Sequence, residues 1–347
     1  MQEHHVGKLA IGSAFPPAVI AEIGINHGGD LQQAKTLCTL AAESGADIIK
    51  SQLHIPDEEM SAQAKSIIPS HCDLSIYDVI SQTCLTIDDE YELMLHIKSL
   101  GVQYLCTPFS PRAADILISE FKVDAFKIGS GEFTNPLVLR PILNSGKTVI
   151  ASTGMSKLSE IKEILTIFDE YNNNPILLHT TNLYPTPPQL VRLGGIAELQ
   201  RLVGINSVGL SDHTTSNLAC IAAAAMGAVV LERHFTDTKE RIGPDIENSM
   251  TPDECSTLKE QTKILHRMMG GSKTDYITEE QNTRDFARAT LVTCVDLQPG
   301  DVLTINNITA KRPGTIGIPA INISSVIGRK ILNPLPAGSH LQWGNIS

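Results

Sequence analysis

Apolar runs that stop at polar residues recur along most of the chain and predict β-strands. Eight such runs lie at 18–25, 46–52, 102–109, 125–130, 148–153, 176–181, 208–211 and 229–235. Helical patterns alternate with them at 31–43, 88–100, 112–120, 158–171, 216–226 and 251–268, with weaker patterns at 136–144 and 196–201. Short connections of this kind imply right-handed parallel crossovers, so the pattern predicts an α/β protein with a closed (β/α)8 TIM barrel. An open doubly wound sheet is the alternative.

The connection at 53–85 is unusually long, polar and proline-containing, and it follows the second predicted strand. Long loops at the carboxyl ends of barrel strands commonly carry binding or catalytic residues. We therefore expect this loop to be functional.

The β/α alternation ends in a polar, glycine-containing segment at 270–284. We place the domain boundary there and predict a catalytic barrel domain over 1–275, a linker over 276–287 and a small β domain over 288–347. The pattern L-x-x-G-x-x-L-x-x-x-N-I occurs at 297–308 and again at 335–346. This repeat predicts a pseudo-symmetric β domain, which at about sixty residues is marginal alone and should pack on something else.

The composition is that of a globular protein, with 42% hydrophobic and 19% charged residues. Aromatic residues make up only 4%, and 27 Lys+Arg against 38 Asp+Glu give a net charge of −11. Few stacking rings and a negative charge argue against nucleic-acid binding. If the ligand is an anion, the cations that bind it must be concentrated inside a pocket.

The longest apolar stretch, 218–231, is shorter than the roughly 20 residues that cross a bilayer, so we expect no membrane span. The first eight residues show no basic region followed by an apolar core, and no secretory signal is expected. Seven scattered cysteines without Cys-x-x-Cys spacing favour reduced thiols, a cytoplasmic protein and no structural zinc site.

Barrel enzymes carry out their chemistry at the carboxyl ends of the strands. Polar residues are concentrated at those predicted ends: Glu22, Asn26, Lys50, Gln52, Thr107, Lys127, Ser130, Ser152, Asn182, Tyr184, Ser211, Asp212, His213, Glu232, His234 and Asp237. Side chains alternate along a strand, so Lys50 with Gln52, Ser211 with His213, and Glu232 with His234 each share one side. If that side is the lumen, these groups converge.

Two lysines at strand ends, Lys50 and Lys127, indicate an anionic substrate, because a buried ammonium requires a counter-charge. Neighbouring serine and threonine hydroxyls suit phosphate or carboxylate oxygens. The alternative is that each lysine pairs with a nearby carboxylate such as Glu22 or Glu132.

Two histidines, His213 and His234, end adjacent strands, which is typical of sites that hold a divalent metal. With no third strong ligand, waters and substrate oxygens would complete the coordination, as Lewis-acid catalysis requires. Structural, hydrogen-bonded histidines are the alternative. Asp245, in a Gly-Pro-Asp turn, suits sugar hydroxyls or proton transfer, or is structural.

Ten ordered blocks of the chain resemble the sialic acid synthase family, which includes the N-acetylneuraminate, legionaminate and pseudaminate synthases. They are AEIGINHGG (21–29), KSQ (50–52), TPFS (107–110), KIGSGE (127–132), STGM (152–155), NLYPTP (182–187), GLSDH (209–213), ERHFT (232–236), GPD (243–245) and KRPG (311–314). The resemblance runs over nearly the whole chain. It implies a metal-dependent barrel followed by an antifreeze-like (SAF) β domain.

The resemblance also implies a reaction, the condensation of phosphoenolpyruvate with an N-acetylmannosamine-type aldose to a nine-carbon 2-keto sugar acid and inorganic phosphate. Histidines 213 and 234 would hold the metal, most commonly manganese, with magnesium or cobalt as alternatives. Phosphate would bind at Lys50, Ser130, Asn182 and Ser211, and carboxylate at Lys127 near Thr107. Ser152 would also bind substrate, and the sugar would lie among Glu22, Gln52, Glu132, Tyr184 and Asp245.

The family further implies a domain-swapped homodimer in which the C-terminal domain inserts an arginine into the partner's barrel, and Arg312 is the matching residue. The family's Arg-Pro-Gly-Asn-Gly is replaced here by Arg-Pro-Gly-Thr-Ile, which puts the contacts to the sugar's acyl group in doubt. The 53–85 loop resembles the N-acetylneuraminate branch, so we expect an N-acetylneuraminate synthase, with an N,N'-diacetyllegionaminate or pseudaminate synthase as the alternative.

Two further alternatives stand beside this expectation. A related barrel enzyme that makes an eight-carbon sugar acid phosphate would need extra cations, and no spare basic pair occurs at the strand ends. A carbohydrate- or ice-binding tail on a degenerate barrel would predict lost lysines or histidines, yet Lys50, Lys127, His213 and His234 are present.

Overall fold

The computed structural model describes residues 3–68 and 74–347. Part of the predicted 53–85 loop, including Cys72, and the first two residues lie outside this range. The chain divides into two compact units, Met1–Gly270 and Gly271–Ser347. The predicted linker 276–287 contains a short helix, and its role as a linker stays a prediction.

The strands are β1 (His4–Val6), β2 (Leu9–Ile11), β3 (Ala18–Glu22), β4 (Ile48–Leu53), β5 (Gln103–Pro108), β6 (Ala125–Ile128), β7 (Thr148–Ser152), β8 (Ile176–Thr180), β9 (Val208–Asp212), β10 (Val230–His234), β11 (Thr290–Thr293) and β12 (Ile308–Lys311). The helices are α1 (Leu31–Glu43), α2 (Pro56–Glu59), α3 (Ile76–Thr83), α4 (Ile87–Ser99), α5 (Pro111–Ile116), α6 (Pro136–Asn144), α7 (Leu158–Glu170), α8 (Gly194–Val203), α9 (Leu218–Ala225), α10 (Pro252–Met268), α11 (Gln281–Ala287) and α12 (Ile323–Val326). All eight predicted barrel strands and their helices are confirmed.

The eight parallel strands β3 to β10 form one sheet that curls into a barrel. The first of them, β3, pairs with both β4 and β10, the last. This pairing rules out the open doubly wound sheet. Strands β5 and β6 are in contact, but within the described chain no hydrogen-bonded ladder joins them, so the barrel is nearly closed.

Buried apolar residues lie on both faces of the barrel wall because successive side chains point to opposite sides. Ile20, Ile48 and Leu105 fill the lumen, whereas Val19 and Ile49 pack against the helices. The hairpin of β1 and β2, which the sequence analysis did not predict, adds apolar side chains to the lumen core beside the amino ends of the strands. The opposite end of the lumen is therefore left for polar side chains.

Side-chain caps fix where several barrel helices begin. The Asp30 carboxylate accepts hydrogen bonds from the backbone N–H groups of Gln32 and Gln33 at 2.7 and 3.1 Å, and α1 starts directly after Asp30, at Leu31. Thr251 and Glu254 form a reciprocal capping box at α10. Such caps satisfy the free N–H groups of a first turn.

In the part of the chain described, no helix combines the length and apolar character that crossing a bilayer requires.

The C-terminal unit is built from the repeated pattern. Leu297 and Leu335, equivalent positions of the two copies, exchange backbone hydrogen bonds of 2.8 and 2.9 Å. Leu303 and Leu341 both lie in the buried core of this unit. The predicted pseudo-symmetric β domain is confirmed by this reciprocal pairing.

A buried polar network lies behind the barrel wall at β4 and β5. The Glu90 carboxyl on α4 accepts hydrogen bonds from the hydroxyls of Ser51 and Tyr104, the latter at 2.7 Å. Burial raises the pKa of Glu90 to about 7, against the effect of these two hydrogen bonds. The network fixes α4 to two strands without contributing a group to the lumen.

Candidate active site

A polar cavity of about 190 Å³ lies at the carboxyl ends of the barrel strands. Its lining includes residues from β4 through β10 and the loops that follow them. Those with charged, hydroxyl, amide or aromatic side chains are Lys50, Gln52, Thr107, Phe109, Lys127, Ser130, Ser152, Thr180, Asn182, Tyr184, Ser211, His213, Glu232, His234 and Asp245. The alternation of side chains thus brings the strand-end groups into one lumen.

Four buried charges form the floor of the cavity. The Lys50 ammonium makes a direct ion pair with Glu22, and its Nζ lies 4.0 Å from Glu232 Oε2. Lys127 Nζ lies 3.3 Å from Glu232 Oε1. Strand register explains the first of these pairs, because Glu22 on β3 lies directly opposite Lys50 on β4, whereas the pairs of Glu232 reach across the lumen to strands that are not its neighbours. Both lysines therefore have carboxylate partners, as the alternative interpretation of the sequence allowed.

The pKa values of these four groups determine the charge of the cluster. Burial raises the pKa of Glu22 to about 7, although Lys50 opposes the shift. Burial would also raise the pKa of Glu232, but Lys127 and Lys50 outweigh it and lower that pKa to about 2. Burial lowers the pKa of Lys127, whereas the two carboxylates outweigh burial and raise that of Lys50. The cluster therefore combines two lysines with one firmly ionised carboxylate and one carboxyl whose pKa lies close to neutrality, which favours an incoming anion.

Hydroxyl groups surround the two ammonium groups. Lys50 Nζ donates to Thr107 Oγ1 at 3.3 Å, and Lys127 Nζ donates to Ser152 Oγ at 2.8 Å. Ser211 Oγ donates to Glu232 Oε1 at 2.8 Å. These side chains offer donors and acceptors that can shift from protein partners to the oxygens of a bound anion.

An amide and a backbone N–H complete the wall above Lys127. The N–H of Gly154 donates to Ser130 Oγ at 3.1 Å, and Asn182 Nδ2 donates to the Tyr184 hydroxyl at 3.4 Å. Asn182 Oδ1 is buried without a hydrogen-bond partner. A buried amide oxygen that lacks a partner costs free energy, which is typical of a site that awaits a ligand.

Two histidines line one side of the cavity. Their ring centroids are 5.5 Å apart, and the Tyr184 ring lies 4.1 Å from that of His213. His213 Nδ1 is hydrogen-bonded to the Thr181 carbonyl at 2.8 Å, whereas His234 Nδ1 is buried without a hydrogen-bond partner. Burial lowers the pKa of His213 to about 4 and that of His234 to about 3, so both rings are neutral near pH 7. A neutral imidazole is the form that binds metals.

One carboxylate lies close to the histidine pair. Asp245 Oδ2 is 3.7 Å from His234 Nδ1. Among the described residues, no group of three or more histidine, cysteine, aspartate or glutamate side chains is arranged to hold a metal ion. The expectation from the sequence, that His213 and His234 would hold a metal whose coordination water and substrate oxygens complete, stays a prediction.

The part of the wall formed by β3, β4 and the loop after β4 contains a chain of hydrogen-bonded side chains. Gln52 Nε2 donates to Glu22 Oε1 at 2.8 Å, and Gln52 Oε1 lies 2.9 Å from His54 Nε2. The other ring nitrogen of His54 lies 2.9 Å from Glu59 on α2, and the ring stacks on Phe109 at 4.1 Å. The orientation of Gln52 is thus fixed from both ends.

A model described as the NeuB family matches residues 37–274, and one described as the SAF domain matches 288–347. The chain belongs to the NeuB family. Relatives named N,N'-diacetyllegionaminic acid synthase, from Campylobacter jejuni and Legionella pneumophila, are 36% and 34% identical over 318 and 346 residues. These matches cover 90% and 96% of this chain and 94% and 96% of the relatives.

A solved structure of N-acetylneuraminic acid (sialic acid) synthetase from Leptospira borgpetersenii, in complex with citrate, has the same fold. It gives a TM-score of 0.74 at 28% identity and covers 81% of this chain and 95% of that one. The resemblance to the sialic acid synthases and the (β/α)8 barrel with a C-terminal SAF domain are therefore confirmed. The chain is an enzyme of this synthase family.

Most of the residues expected to bind substrate or metal in this NeuB-family chain come together. The cavity is lined by Lys50, Gln52, Thr107, Lys127, Ser130, Ser152, Asn182, Tyr184, Ser211, His213, His234 and Asp245. Glu22 lies outside this lining and forms an ion pair with Lys50. Glu132 is partly exposed outside this lining, where its carboxylate accepts a hydrogen bond from Asn135 at 2.5 Å. Arg312 is exposed in the C-terminal unit. The roles expected for all these residues stay predictions.

Glu232 lies at the end of a predicted strand but is not among the residues expected to bind substrate or metal in the NeuB-family barrel. The structure places its carboxylate between Lys127, Lys50 and Ser211. The signal was present, because Glu232 shares a strand face with His234. The buried position of His54 was also missed, since a lone histidine in a loop carries no periodic pattern.

Substituting Gly154 tests whether the cavity wall is as closely packed as the structure shows. A Cβ at this position would lie 1.7 Å from Asn182 Oδ1 and 2.7 Å from Ser130 Oγ. We expect Gly154→Ala to displace the Asn182 amide and to lower the free energy of unfolding by about 1–3 kcal/mol through overpacking. Urea denaturation and a crystal structure of the variant measure the two effects.

Gly131→Ala is the matched control, because it lines the same cavity and a Cβ there meets no atom within 4 Å. Its unfolding free energy should stay within about 0.5 kcal/mol of the parent. Equal stabilities of the two variants, with Asn182 unmoved, would contradict the close approach at Gly154.

Proposed function

We propose that this enzyme condenses phosphoenolpyruvate with an N-acylated, mannose-type amino sugar, giving a nine-carbon 2-keto sugar acid and inorganic phosphate. One observation supports this most strongly. Two buried lysines, Lys50 and Lys127, lie in the same cavity as two neutral histidines, so an anion site and a Lewis-acid site adjoin. Membership of the NeuB family and the names of the relatives agree with this reaction.

Phosphoenolpyruvate has two anionic groups, and the cavity has two ammonium groups. We assign the phosphate to Lys50, Ser130, Asn182 and Ser211. We assign the carboxylate to Lys127, with the hydroxyl of Ser152 beside it. Thr107, expected near the carboxylate, contacts Lys50 instead and lies between the two sites. On binding, the ammonium groups of Lys50 and Lys127 would divide their charge-assisted hydrogen bonds between these carboxylates and the oxygens of the substrate.

The histidines fit a divalent metal, with manganese as the expected ion and magnesium or cobalt as alternatives. His234 Nδ1 is buried without a hydrogen-bond partner, and both imidazoles are neutral at pH 7. When bound, the metal would supply a Lewis acid for the aldehyde oxygen of the sugar. The backbone carbonyl of Thr181 holds the orientation of His213 through its Nδ1.

The proposed reaction forms one carbon–carbon bond and breaks one carbon–oxygen bond. Carbon 3 of the enol phosphate attacks the aldehyde carbon, whose oxygen becomes a hydroxyl after taking a proton, and carbon 2 becomes cationic. Water adds to carbon 2 and loses a proton, which leaves a hydroxyl there. The bond from carbon 2 to the phosphate oxygen then breaks while that hydroxyl gives up its proton, so carbon 2 becomes the ketone and inorganic phosphate takes the proton and leaves. The carboxylates of Glu22 and Glu232 stabilise the cationic centre electrostatically.

The sugar would lie between the histidine side and the Gln52 side of the cavity, in contact with Tyr184 and Asp245. The expectation for Glu132 as a sugar-facing residue requires its loop to adjust, because its carboxylate is bound to Asn135. The 53–85 loop favours N-acetylmannosamine, whereas the two bacterial relatives at 36% and 34% identity are both diacetyllegionaminic acid synthases. Their names favour 2,4-diacetamido-2,4,6-trideoxymannose, which we propose as the substrate, with N-acetylmannosamine second.

We also propose a domain-swapped homodimer in which Arg312 of one copy enters the barrel of the other. Arg312 is exposed in its own unit, and Asp285 O accepts a 2.7 Å hydrogen bond from the N–H of Gly314, which holds the adjacent turn. An exposed guanidinium on a held turn suits contact with a sugar in another chain.

The six described cysteines are free thiols, which supports the expected cytoplasmic location.

Phosphate release is the direct test of the proposed reaction. We expect inorganic phosphate from phosphoenolpyruvate and manganese only when a sugar is present, faster with 2,4-diacetamido-2,4,6-trideoxymannose than with N-acetylmannosamine. EDTA, or alanine at both His213 and His234, should abolish release, because the aldehyde is no longer polarised. No release with either sugar contradicts the proposal, and faster turnover of N-acetylmannosamine reverses the choice of substrate.

Mixing variants tests the contact across the dimer. Arg312→Ala should lose most sugar-dependent turnover, and so should Lys127→Met, whose defect lies in the barrel. In each mixed dimer one of the two barrels retains Lys127 and receives an intact Arg312. If about half of the dimers are mixed, up to about a quarter of the wild-type rate per chain should return. Absence of recovery in mixed dimers confirmed by native mass spectrometry would refute the exchange.

A further inference from the structure

Arg233 is a buried guanidinium on the outer face of the barrel wall, between the two strands that end in histidines. It is 1% exposed, and it lies opposite Asp212 in the register of β9 and β10. His213 and His234 are the next residues along each chain segment. Because side chains alternate, the charged pair lies outside the wall and the histidines lie inside.

The guanidinium contacts every segment around it. Arg233 Nη1 donates to Asn217 Oδ1 at 2.6 Å, and Nη2 donates to the backbone carbonyls of Thr214 and Asn248 at 3.0 and 3.3 Å. Its Nε lies 3.7 Å from Asp212 Oδ2. The planar fork of an arginine can hold several acceptors at fixed angles, which a lysine cannot do.

Asp212 extends the same network past His213. Its carboxylate oxygens accept hydrogen bonds from the N–H and the hydroxyl of Thr214 at 2.9 and 3.0 Å. The backbone is therefore held on both sides of His213. Asp212, before it, lies beside Arg233, and Thr214, after it, is hydrogen-bonded to both the Asp212 carboxylate and the Arg233 guanidinium. The backbone of His213 has little freedom to turn its imidazole away from the lumen.

The contact with Asn248 links the segment that contains Asp245. The N–H of Met250 donates to the His234 carbonyl at 2.7 Å, and Ser249 Oγ donates to the Asp245 carbonyl at 2.6 Å. One side chain thus joins the end of β9, the end of β10 and the 245–250 segment. These three pieces of chain contribute His213, His234 and Asp245 to the lining of the cavity.

We propose that Arg233 is a positioning residue that holds the imidazoles of His213 and His234 side by side in the lumen, where the proposed function puts a divalent cation. This inference rests on the metal site of the proposed function. A buried ion pair adds little net stability over well-packed apolar residues. Its value here is geometric, and losing it should loosen metal binding before it affects the anion site on β4 and β6.

The test measures metal affinity rather than turnover. Isothermal titration of Mn²⁺ into the full-length protein should show an affinity about 10- to 100-fold weaker for Arg233→Met than for the parent, the usual effect of losing a residue that orients metal ligands. Arg233→Lys should fall between the two. Phosphoenolpyruvate affinity in EDTA should fall by a clearly smaller factor than Mn²⁺ affinity, because Lys50 and Lys127 lie on other strands and, of the groups assigned to the anion, only Ser211 lies on β9.

Glu90→Gln is the matched control, since Glu90 is equally buried and polar but lies behind β4 and β5. Its Mn²⁺ affinity should stay within about twofold of the parent. A folded Arg233→Met with parental Mn²⁺ affinity, or with equal losses for Mn²⁺ and phosphoenolpyruvate, overturns the proposal. If circular dichroism shows that Arg233→Met does not fold, the same two affinities are measured for Arg233→Lys and Asn217→Ala. Parental Mn²⁺ affinity in both of these variants would overturn the proposal. A parent that binds no Mn²⁺ refutes the metal site itself, and the role of Arg233 with it.

Discussion

Two buried ammonium groups in the lumen must be compensated by counter-charges, and the arrangement of the barrel mouth follows from that constraint. Lys50 and Lys127 share Glu22 and Glu232, and the strand register brings these side chains to the same level of the barrel. Burial keeps Glu22 half-titrated near neutral pH while Glu232 stays ionised. The cluster can therefore persist without ligand and still attract an anion.

The barrel wall separates chemistry from support. The inner face at the strand ends has the lysines, histidines and hydroxyls, whereas the outer face at the same strands has buried polar groups that contact no lumen residue directly. Glu90 with Ser51 and Tyr104 supports β4 and β5, and Arg233 with Asp212 supports β9 and β10. A substitution on the outer face should change the orientation of a site side chain in the lumen while that side chain itself stays in place.

The strands and the cavity could be predicted because both follow from a two-residue period: an apolar run marks a strand, and the first polar residues after it mark the barrel mouth. Glu22 could be named as a candidate partner of the lysines, but the pairing of Lys127 with Glu232 could not be predicted, since it joins strands far apart in the chain. Glu232 was overlooked for this reason, and Glu132 was expected in the lumen although its carboxylate binds Asn135. The first hairpin, two short strands at the amino end, lacked a long periodic signal. The partner of Arg312 depends on a second chain, which one sequence does not specify.

The central claim is that the lysine cluster is an anion site, and phosphoenolpyruvate affinity measured in EDTA tests it most directly. The charge-matched variant Lys127→Met/Glu232→Gln removes one cation and one anion together, so no unpaired charge is left buried. The account predicts affinity at least about tenfold weaker for this folded variant, since a hydrogen bond to a charged group is worth about 1.5–3 kcal/mol. Unchanged affinity would contradict the account, because the substrate anion would then bind elsewhere.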